Sequence, residues 1–373
     1  MMRNILFIFG TRPEVIKIFP IINALKCYPK DYNVILCNTG QQKELSAQAL
    51  DMFDISADYN LSVMRENQSL EETQNTILSK LSELLNNIKT DAIIVQGDTL
   101  SAFCGALSGF YRKIPVFHVE AGLRTNDIRE PFPEEAYRKM ISCIATLHFA
   151  PSNFSKKNLL KENICEKNIH ITGNTIVDTL KFMEDYFSEN AIKKLKYRGI
   201  DFQSKNILVT SHRRENQDEK LISILNAIKK LSEENVDHNF IIPVHPNPNF
   251  KNIIHKELSD VKNIKLLQPL DYDELICLMK KCCLVMTDSG GIQEEASSLG
   301  IPLIIMRNKT ERHEVLKLSN VKLVGTNTEI IYKESMNLLR KQYKFISKNN
   351  LKTIYGDGTA SIKIEKIIRT FFN

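Results

Sequence analysis

The chain has no tryptophan, no basic run interleaved with aromatic residues, and no apolar stretch near the ~20 residues a membrane-spanning helix needs. Lys+Arg 50 against Asp+Glu 44 leave a net +6 over 373 residues, too mild an excess to argue for a nucleic-acid partner. The longest early apolar run, Ile5 to Phe9, is stopped by Gly10, Thr11 and Arg12, which is too short for a signal-peptide core. None of the eight cysteines forms a CxxC pair, and no histidine spacing completes a zinc site. Vicinal Cys282-Cys283 reads as two small buried residues entering a strand. A reduced, cytoplasmic protein is therefore expected, with no structural metal and no nucleic-acid or membrane partner. Neither G-x-G-x-x-G nor G-x-x-x-x-G-K-[ST] occurs, which argues against a dinucleotide site and a P-loop.

What is present is a regular alternation of short β-rich runs and longer helical stretches. Six strand candidates occupy the first half: Ile5–Phe9, Val34–Asn38, Ala92–Gln96, Pro115–Val119, Leu147–Ala150 and Ile169–Thr172. Six more follow: Ile207–Thr210, Phe240–Val244, Ile264–Gln268, Leu284–Thr287, Leu303–Met306 and Val321–Val324. Most are continuous apolar runs, as in parallel strands covered on both faces. Pro13–Lys26 shows the helical counterpart, with Val15, Ile18, Phe19, Ile22 and Leu25 along one face. The expectation is an α/β chain of two doubly wound, Rossmann-like domains facing across a cleft. The boundaries are placed at 1–172 and 173–356, with a linker near Gly173–Asp178 and a C-terminal helix in 357–373 that packs back on the first domain.

In open α/β sheets ligands bind beyond the carboxyl ends of the strands. Those ends carry Arg12, Gln41, Asp98, Glu120, His212 with Arg213 and Arg214, His245, Asp288-Ser289-Gly290-Gly291 and Arg307. Thr11 and Glu14 have the spacing of a capping box, with Pro13 in the first turn; Arg12 and Lys17 add cations there, the makings of an anion site. Gly290 and Gly291 would let a phosphate approach a helix start, Ser289 adds a hydroxyl, and Glu295 lies where a carboxylate could meet ribose hydroxyls. A nucleotide diphosphate is the ligand left standing. Asp98, Glu120 and the pair Glu134-Glu135 all come from the first half. Carboxylates sharing a low-dielectric pocket raise one another's pKa, which suits general acid and base roles. Each is also readable as a cap or a surface ion pair. His212-Arg213-Arg214 would stabilise charge on a leaving group or form a salt-bridged loop, and His245 before Pro246 would serve the site or a fixed turn.

These pieces occur together in a recognisable order. They run from Gly10-Thr11-Arg12-Pro13-Glu14 through Gly97-Asp98-Thr99, His118-Val119-Glu120-Ala121-Gly122, Pro133-Glu134-Glu135 and Thr172-Gly173-Asn174-Thr175. His212-Arg213-Arg214-Glu215, His245-Pro246-Asn247-Pro248, Asp288 to Glu295 and Tyr355-Gly356-Asp357-Gly358 complete the series. Over nearly its whole length the chain resembles the non-hydrolysing UDP-N-acetylglucosamine 2-epimerases, which have the GT-B fold. The resemblance implies elimination of UDP from UDP-GlcNAc to a bound 2-acetamidoglucal, then re-addition after C2 is reprotonated from the other face, giving UDP-ManNAc. No redox cofactor or metal is implied, and a homodimer is.

By motif position, Asp98, Glu120 and Glu134 would be the acid–base carboxylates and His212 would steady the departing diphosphate. Arg12, Lys17, Arg213, His245, Ser289, Gly290, Gly291, Glu295 and Arg312 would hold the UDP-sugar, with Leu270 and Leu275 against the uracil. Regulated members bind a second UDP-GlcNAc through a Gln-His-Arg-Gln stretch and a later Arg. Here that stretch reads Gln41-Gln42-Lys43-Glu44, and Asn67 stands near the Arg position, so Gln41 and Glu44 mark the candidate regulatory site. The competing readings are a hydrolysing epimerase releasing ManNAc, a 2-epimerase of a modified UDP-2-acetamido sugar, a GT-B glycosyltransferase and a silent UDP-sugar binder.

Overall fold

The computed structural model describes residues 1–65, 68–186, 188–211, 219–245, 247–341 and 354–373. Two compact units emerge: Met1–Thr179 together with Tyr355–Asn373, and Leu180–Ile354.

The first unit alternates β1 (Arg3–Phe9), α1 (Arg12–Lys26), β2 (Tyr32–Asn38), α2 (Lys43–Met52), β3 (Tyr59–Asn60), α3 (Leu70–Asn87), β4 (Ala92–Gln96), α4 (Leu100–Tyr111), β5 (Val116–Val119), α5 (Glu134–Ile144), β6 (Leu147–Ala150), α6 (Asn153–Lys161) and β7 (Ile169–Ile171). All the strands are parallel, in the order β3-β2-β1-β4-β5-β6-β7. The sheet thus has seven strands rather than the expected six. The addition, β3, is two residues long and exposed, too short to leave a periodic signal. Ile5 to Phe9 and Ala92 to Gln96 are buried throughout, the two-sided covering that their unbroken apolar runs require.

α7 (Thr175–Tyr186) carries the chain onward, so the expected linker at Gly173–Asp178 is instead the start of a helix. Asn174 caps it, its Oδ1 accepting from Ile176 N at 3.0 Å. The division between units falls after Thr179, not after Thr172. Thr179 donates its hydroxyl to Ile16 O at 2.7 Å, which keeps this turn with the first unit.

The second unit runs α8 (Ser188–Tyr197), β8 (Lys205–Thr210), α9 (Glu219–Glu234), β9 (His238–Pro243), α10 (Pro248–Leu258), β10 (Ile264–Leu267), α11 (Tyr272–Met279), β11 (Cys282–Thr287), α12 (Gly290–Ser298), β12 (Leu303–Ile305), β13 (Val321–Leu323) and α13 (Thr328–Arg340). Its parallel sheet has the order β10-β9-β8-β11-β12-β13. Buried Cys282 opens β11. The last helix, α14 (Ala360–Phe372), belongs to the first unit and packs on α1, while Phe371 and Phe372 meet Phe117 edge-on at 5.1 and 6.3 Å. No described helix is long and apolar enough to cross a membrane.

Both sheets reverse their strand order once, between β1 and β4 and between β8 and β11. At such a reversal the helices leave to opposite faces and open a crevice beyond the strand ends. The α/β class with two doubly wound parallel sheets is the one the sequence implied, and the two reversals are where such sheets offer a ligand crevice.

Candidate active site

At the first reversal, Gly10 and Thr11 link β1 to α1. Buried Glu14 reaches back, its Oε2 accepting from Gly10 N at 2.9 Å and Thr11 N at 2.8 Å. Its Oε1 accepts the Thr99 hydroxyl at 2.7 Å, and Thr99 caps α4, so one carboxyl ties the ends of β1 and β4 together. Burial pushes this carboxyl from the ordinary 4.5 up to about 7, against the pull of those donors. With the folded pKa above the unfolded one, its stabilising contribution is complete below about pH 4.5 and is lost as pH rises through about 7. Glu14→Gln, which keeps an acceptor for both amides, is expected to flatten the fall in unfolding free energy across that window. Urea titrations at either end would measure it, and an unchanged slope would assign the pH dependence elsewhere.

Asp98 lies just past β4 and forms an ion pair with Arg138 Nη2. Arg138 is buried on α5, and its Nη1 donates to Glu135 Oε2 at 2.9 Å. Glu135, wholly buried, in turn accepts Thr125 N at 3.1 Å and Asn126 N at 3.2 Å. One guanidinium therefore holds two carboxylates and, through them, a loop. Glu134 opens α5, where the positive helix end favours an acid.

Glu120 follows β5 directly with φ +65°, a left-handed conformation that few non-glycine residues adopt. The turn ends the strand and swings the side chain to Lys17, whose ammonium forms an ion pair with Oε2. Asn174 Nδ2 donates to the same oxygen at 3.1 Å. Two residues earlier, His118 Nε2 donates to Gly97 O at 2.8 Å, binding the end of β5 to the turn before Asp98. Burial holds His118 down at about 3, so its ring is a neutral strut.

At the second reversal, the Thr210 and Thr287 hydroxyls meet at 2.6 Å and Ser211 donates to buried Asp288 at 2.9 Å. Ser289 N donates to Thr287 Oγ1 at 3.0 Å, and α12 begins at Gly290. A Cβ on Gly290 would fall 2.5 Å from Arg312 Nη1, so only glycine lets the helix start rest on that guanidinium. Among the described residues, a Cβ on Gly291 would meet nothing within 4 Å. Arg312 Nε donates to Glu294 at 2.7 Å and its Nη1 pairs with Glu311, which also accepts Arg307 Nη1 at 3.2 Å. Glu295 and Leu270 are buried and Leu275 is half-buried. His245 Nδ1 accepts Asn247 N at 3.2 Å; desolvation lowers its pKa and the Asp288 charge opposes that.

The structure thus brings Lys17 and Glu120 together at one point of the first unit, and places Ser289, Gly290, Gly291 and Arg312 at one helix start of the second. It adds carboxylate partners for the cations. Lys17 and Arg312, read as diphosphate ligands, each meet buried carboxylates, because a buried charge needs a counter-charge. Asp98 and Glu120 likewise face cations rather than one another alone. Gln41, read as regulatory, accepts from Ser101 N at 3.1 Å and Ser101 Oγ at 2.8 Å, which fastens its loop to α4; Glu44 is exposed in the first turn of α2. The backbone N–H of Arg12 donates to Gln42 at 3.2 Å. His212, Arg213, Arg214, Pro246 and Asn67 lie outside the described residues. Sequence reasoning passed over Arg138, although it stands one turn from Glu134, and quoted Asn174 without a role, although Gly-Asn-Thr before an apolar run is a helix-start signal.

Fold and site together define an α/β protein of two parallel-sheet units, with a carboxylate–cation cluster at the strand reversal of one and a glycine-opened helix start at the reversal of the other. A family model described as UDP-N-acetylglucosamine 2-epimerase matches residues 25–369. The chain is 42% identical to the UDP-N-acetylglucosamine 2-epimerase of Campylobacter jejuni, over 99% of this chain and 98% of that protein. The crystal structure of the Neisseria meningitidis UDP-GlcNAc 2-epimerase bound to UDP-GlcNAc superposes with a TM-score of 0.91 at 40% identity, covering 98% of this chain and all of that one. The Methanocaldococcus jannaschii UDP-GlcNAc 2-epimerase in complex with UDP-GlcNAc and UDP gives 0.86 at 34% identity, covering 99% and 100%. The chain belongs to the UDP-N-acetylglucosamine 2-epimerase family.

Proposed function

We propose that the chain interconverts UDP-GlcNAc and UDP-ManNAc by the non-hydrolysing route. A carboxylate takes the C2 proton, the C–H electron pair forms the C1–C2 double bond, and the C1–O bond breaks with its pair leaving on UDP. A second carboxyl group returns a proton to C2 from the opposite face, and a diphosphate oxygen re-forms the bond to C1. Inversion at C2 therefore needs acids on two sides of one carbon, and one carboxylate would not suffice. The observation that carries this reading is the first-unit cluster itself: Asp98 and Glu120, each held by a buried cation, with Glu134 at the head of α5.

In this reading the start of α12 binds UDP. Ser289, Gly290 and Gly291 meet phosphate oxygens, Arg312 supports that backbone from beneath, Glu295 takes the ribose, and Leu270 and Leu275 take the uracil. Arg12, His212, Arg213 and His245 serve the diphosphate by motif position. Family resemblance supports a cytoplasmic homodimer. Incubation with UDP-GlcNAc and no acceptor tests the proposal, with UDP-ManNAc expected and no build-up of free UDP. Accumulating free ManNAc would identify a hydrolysing enzyme, and turnover only with an added acceptor would identify a glycosyltransferase.

A further inference from the structure

We propose that Asn174 is a positioning residue for Glu120, one that turns the capped start of α7 into a fixed hydrogen-bond donor for the Glu120 carboxylate. The inference rests on the acid–base reading of Glu120 given above. Three observations carry it.

The first is that the amide of Asn174 has only one workable orientation. Its Oδ1 accepts from Ile176 N at 3.0 Å, and a backbone N–H can only donate. Its Nδ2 faces Glu120 Oε2 at 3.1 Å, and a carboxylate accepts. A flipped amide would place an acceptor against an acceptor on one side and a donor against a donor on the other. The cap and the Glu120 contact therefore enforce each other.

The second is that the Asn174 backbone is pinned independently of its side chain. Asn174 N donates to Tyr355 O at 2.8 Å. Gly173 makes the approach feasible, since it has φ +90° and a Cβ there would lie 2.7 Å from Tyr355 O. One turn along α7, Asp178 accepts from Ser361 N at 2.9 Å, Ser361 Oγ at 2.6 Å and Ala360 N at 3.2 Å. The start of α7 is thus tied at two heights to the segment from Tyr355 to Ser361, and Asn174 is buried.

The third is that Glu120 needs such a hold. It stands past the end of β5 in a left-handed conformation, so its side chain leaves the alternation of the strand. Lys17 from α1 and Asn174 from the start of α7 converge on its Oε2 from separate elements. A lone ammonium on a long side chain sets charge but not direction, and the locked amide supplies direction.

Asn174→Asp tests the inference in the full-length enzyme. Aspartate caps a helix as well as asparagine does, so α7 keeps its start, while the like charge beside Glu120 is expected to lower the melting temperature without unfolding the enzyme at assay temperature. The donor to Glu120 becomes a second carboxylate. The expected result is a kcat lower by about 10² with KM held within about threefold. The acidic limb of the kcat profile should also move to higher pH, because a like charge disfavours ionised Glu120. Wild-type kcat and pH profile in Asn174→Asp would overturn the proposal. Should that variant not fold, Asn174→Ser keeps a cap oxygen without the added charge; a kcat loss of about tenfold at unchanged KM is expected, and wild-type kcat would overturn the proposal equally. Glu120→Gln separates the two levels. Near-wild-type turnover in Glu120→Gln would remove the reading on which Asn174 depends, whereas an inactive Glu120→Gln beside a fully active Asn174→Asp would remove Asn174 alone.

Discussion

Glu120→Gln lowers kcat for UDP-GlcNAc epimerisation by about 10²–10⁴, the usual span for losing a positioned acid or base. The substitution is close to isosteric and leaves an oxygen for Lys17 and Asn174, but it takes the counter-charge from buried Lys17, so melting should fall as well and rates are compared below the lowered midpoint. The chemistry is what goes: an amide neither takes the C2 proton nor returns one. Asp98→Asn should show a loss of the same order for the same reason. KM should change little for either, because neither carboxylate belongs to the helix start assigned to UDP. Steady-state rates at saturating UDP-GlcNAc measure both, and a wild-type kcat in either variant would strike that residue from the acid–base set.

Arg138→Met is expected to have the largest effect on stability, about 3–5 kcal/mol, because it removes one member of a buried ion cluster and leaves the others uncompensated. Its guanidinium holds Asp98 through Nη2 and Glu135 through Nη1, and Glu135 in turn holds the backbone at Thr125 and Asn126. Methionine fills similar space but leaves two carboxylates without their cation. Because Asp98 is part of the cluster, turnover should fall with stability. Adding Glu135→Gln should recover part of the lost stability without recovering turnover, since the amide relieves the buried charge while Asp98 stays unheld. Urea unfolding of the single and double variants measures this, and an Arg138→Met protein as stable as wild type would show that the cluster is not a structural hub.

How much of this was legible in the sequence follows from which contacts are local. Strands buried on both faces leave unbroken apolar runs, so β1, β4 and β11 could be read directly, and the rule that ligands sit past strand ends then singled out Asp98, Glu120 and Ser289-Gly290-Gly291. The cap at Glu14 was legible because its partners lie three and four residues away. Partnerships across the fold were not. Glu120 and Asn174 are 54 residues apart in the chain, and no periodicity links them. Lys17 and Arg312 showed their charge in the sequence but not the carboxylates they meet in the folded chain. The start of α7 was read as a linker because nothing in the short Gly173–Asp178 stretch announces that Asp178 and Asn174 are both tied to the C-terminal segment.

The central claim is that carboxylates of the first unit exchange the C2 proton of a UDP-2-acetamido sugar while UDP departs and returns. Incubation of the enzyme with UDP-GlcNAc in D2O, followed by mass and NMR analysis of the nucleotide sugars, tests it most directly. The account predicts UDP-ManNAc carrying deuterium at C2, with deuterium entering the UDP-GlcNAc pool as the reaction reverses. UDP-GlcNAc recovered unchanged, or epimerised product that keeps the original C2 proton, would contradict it.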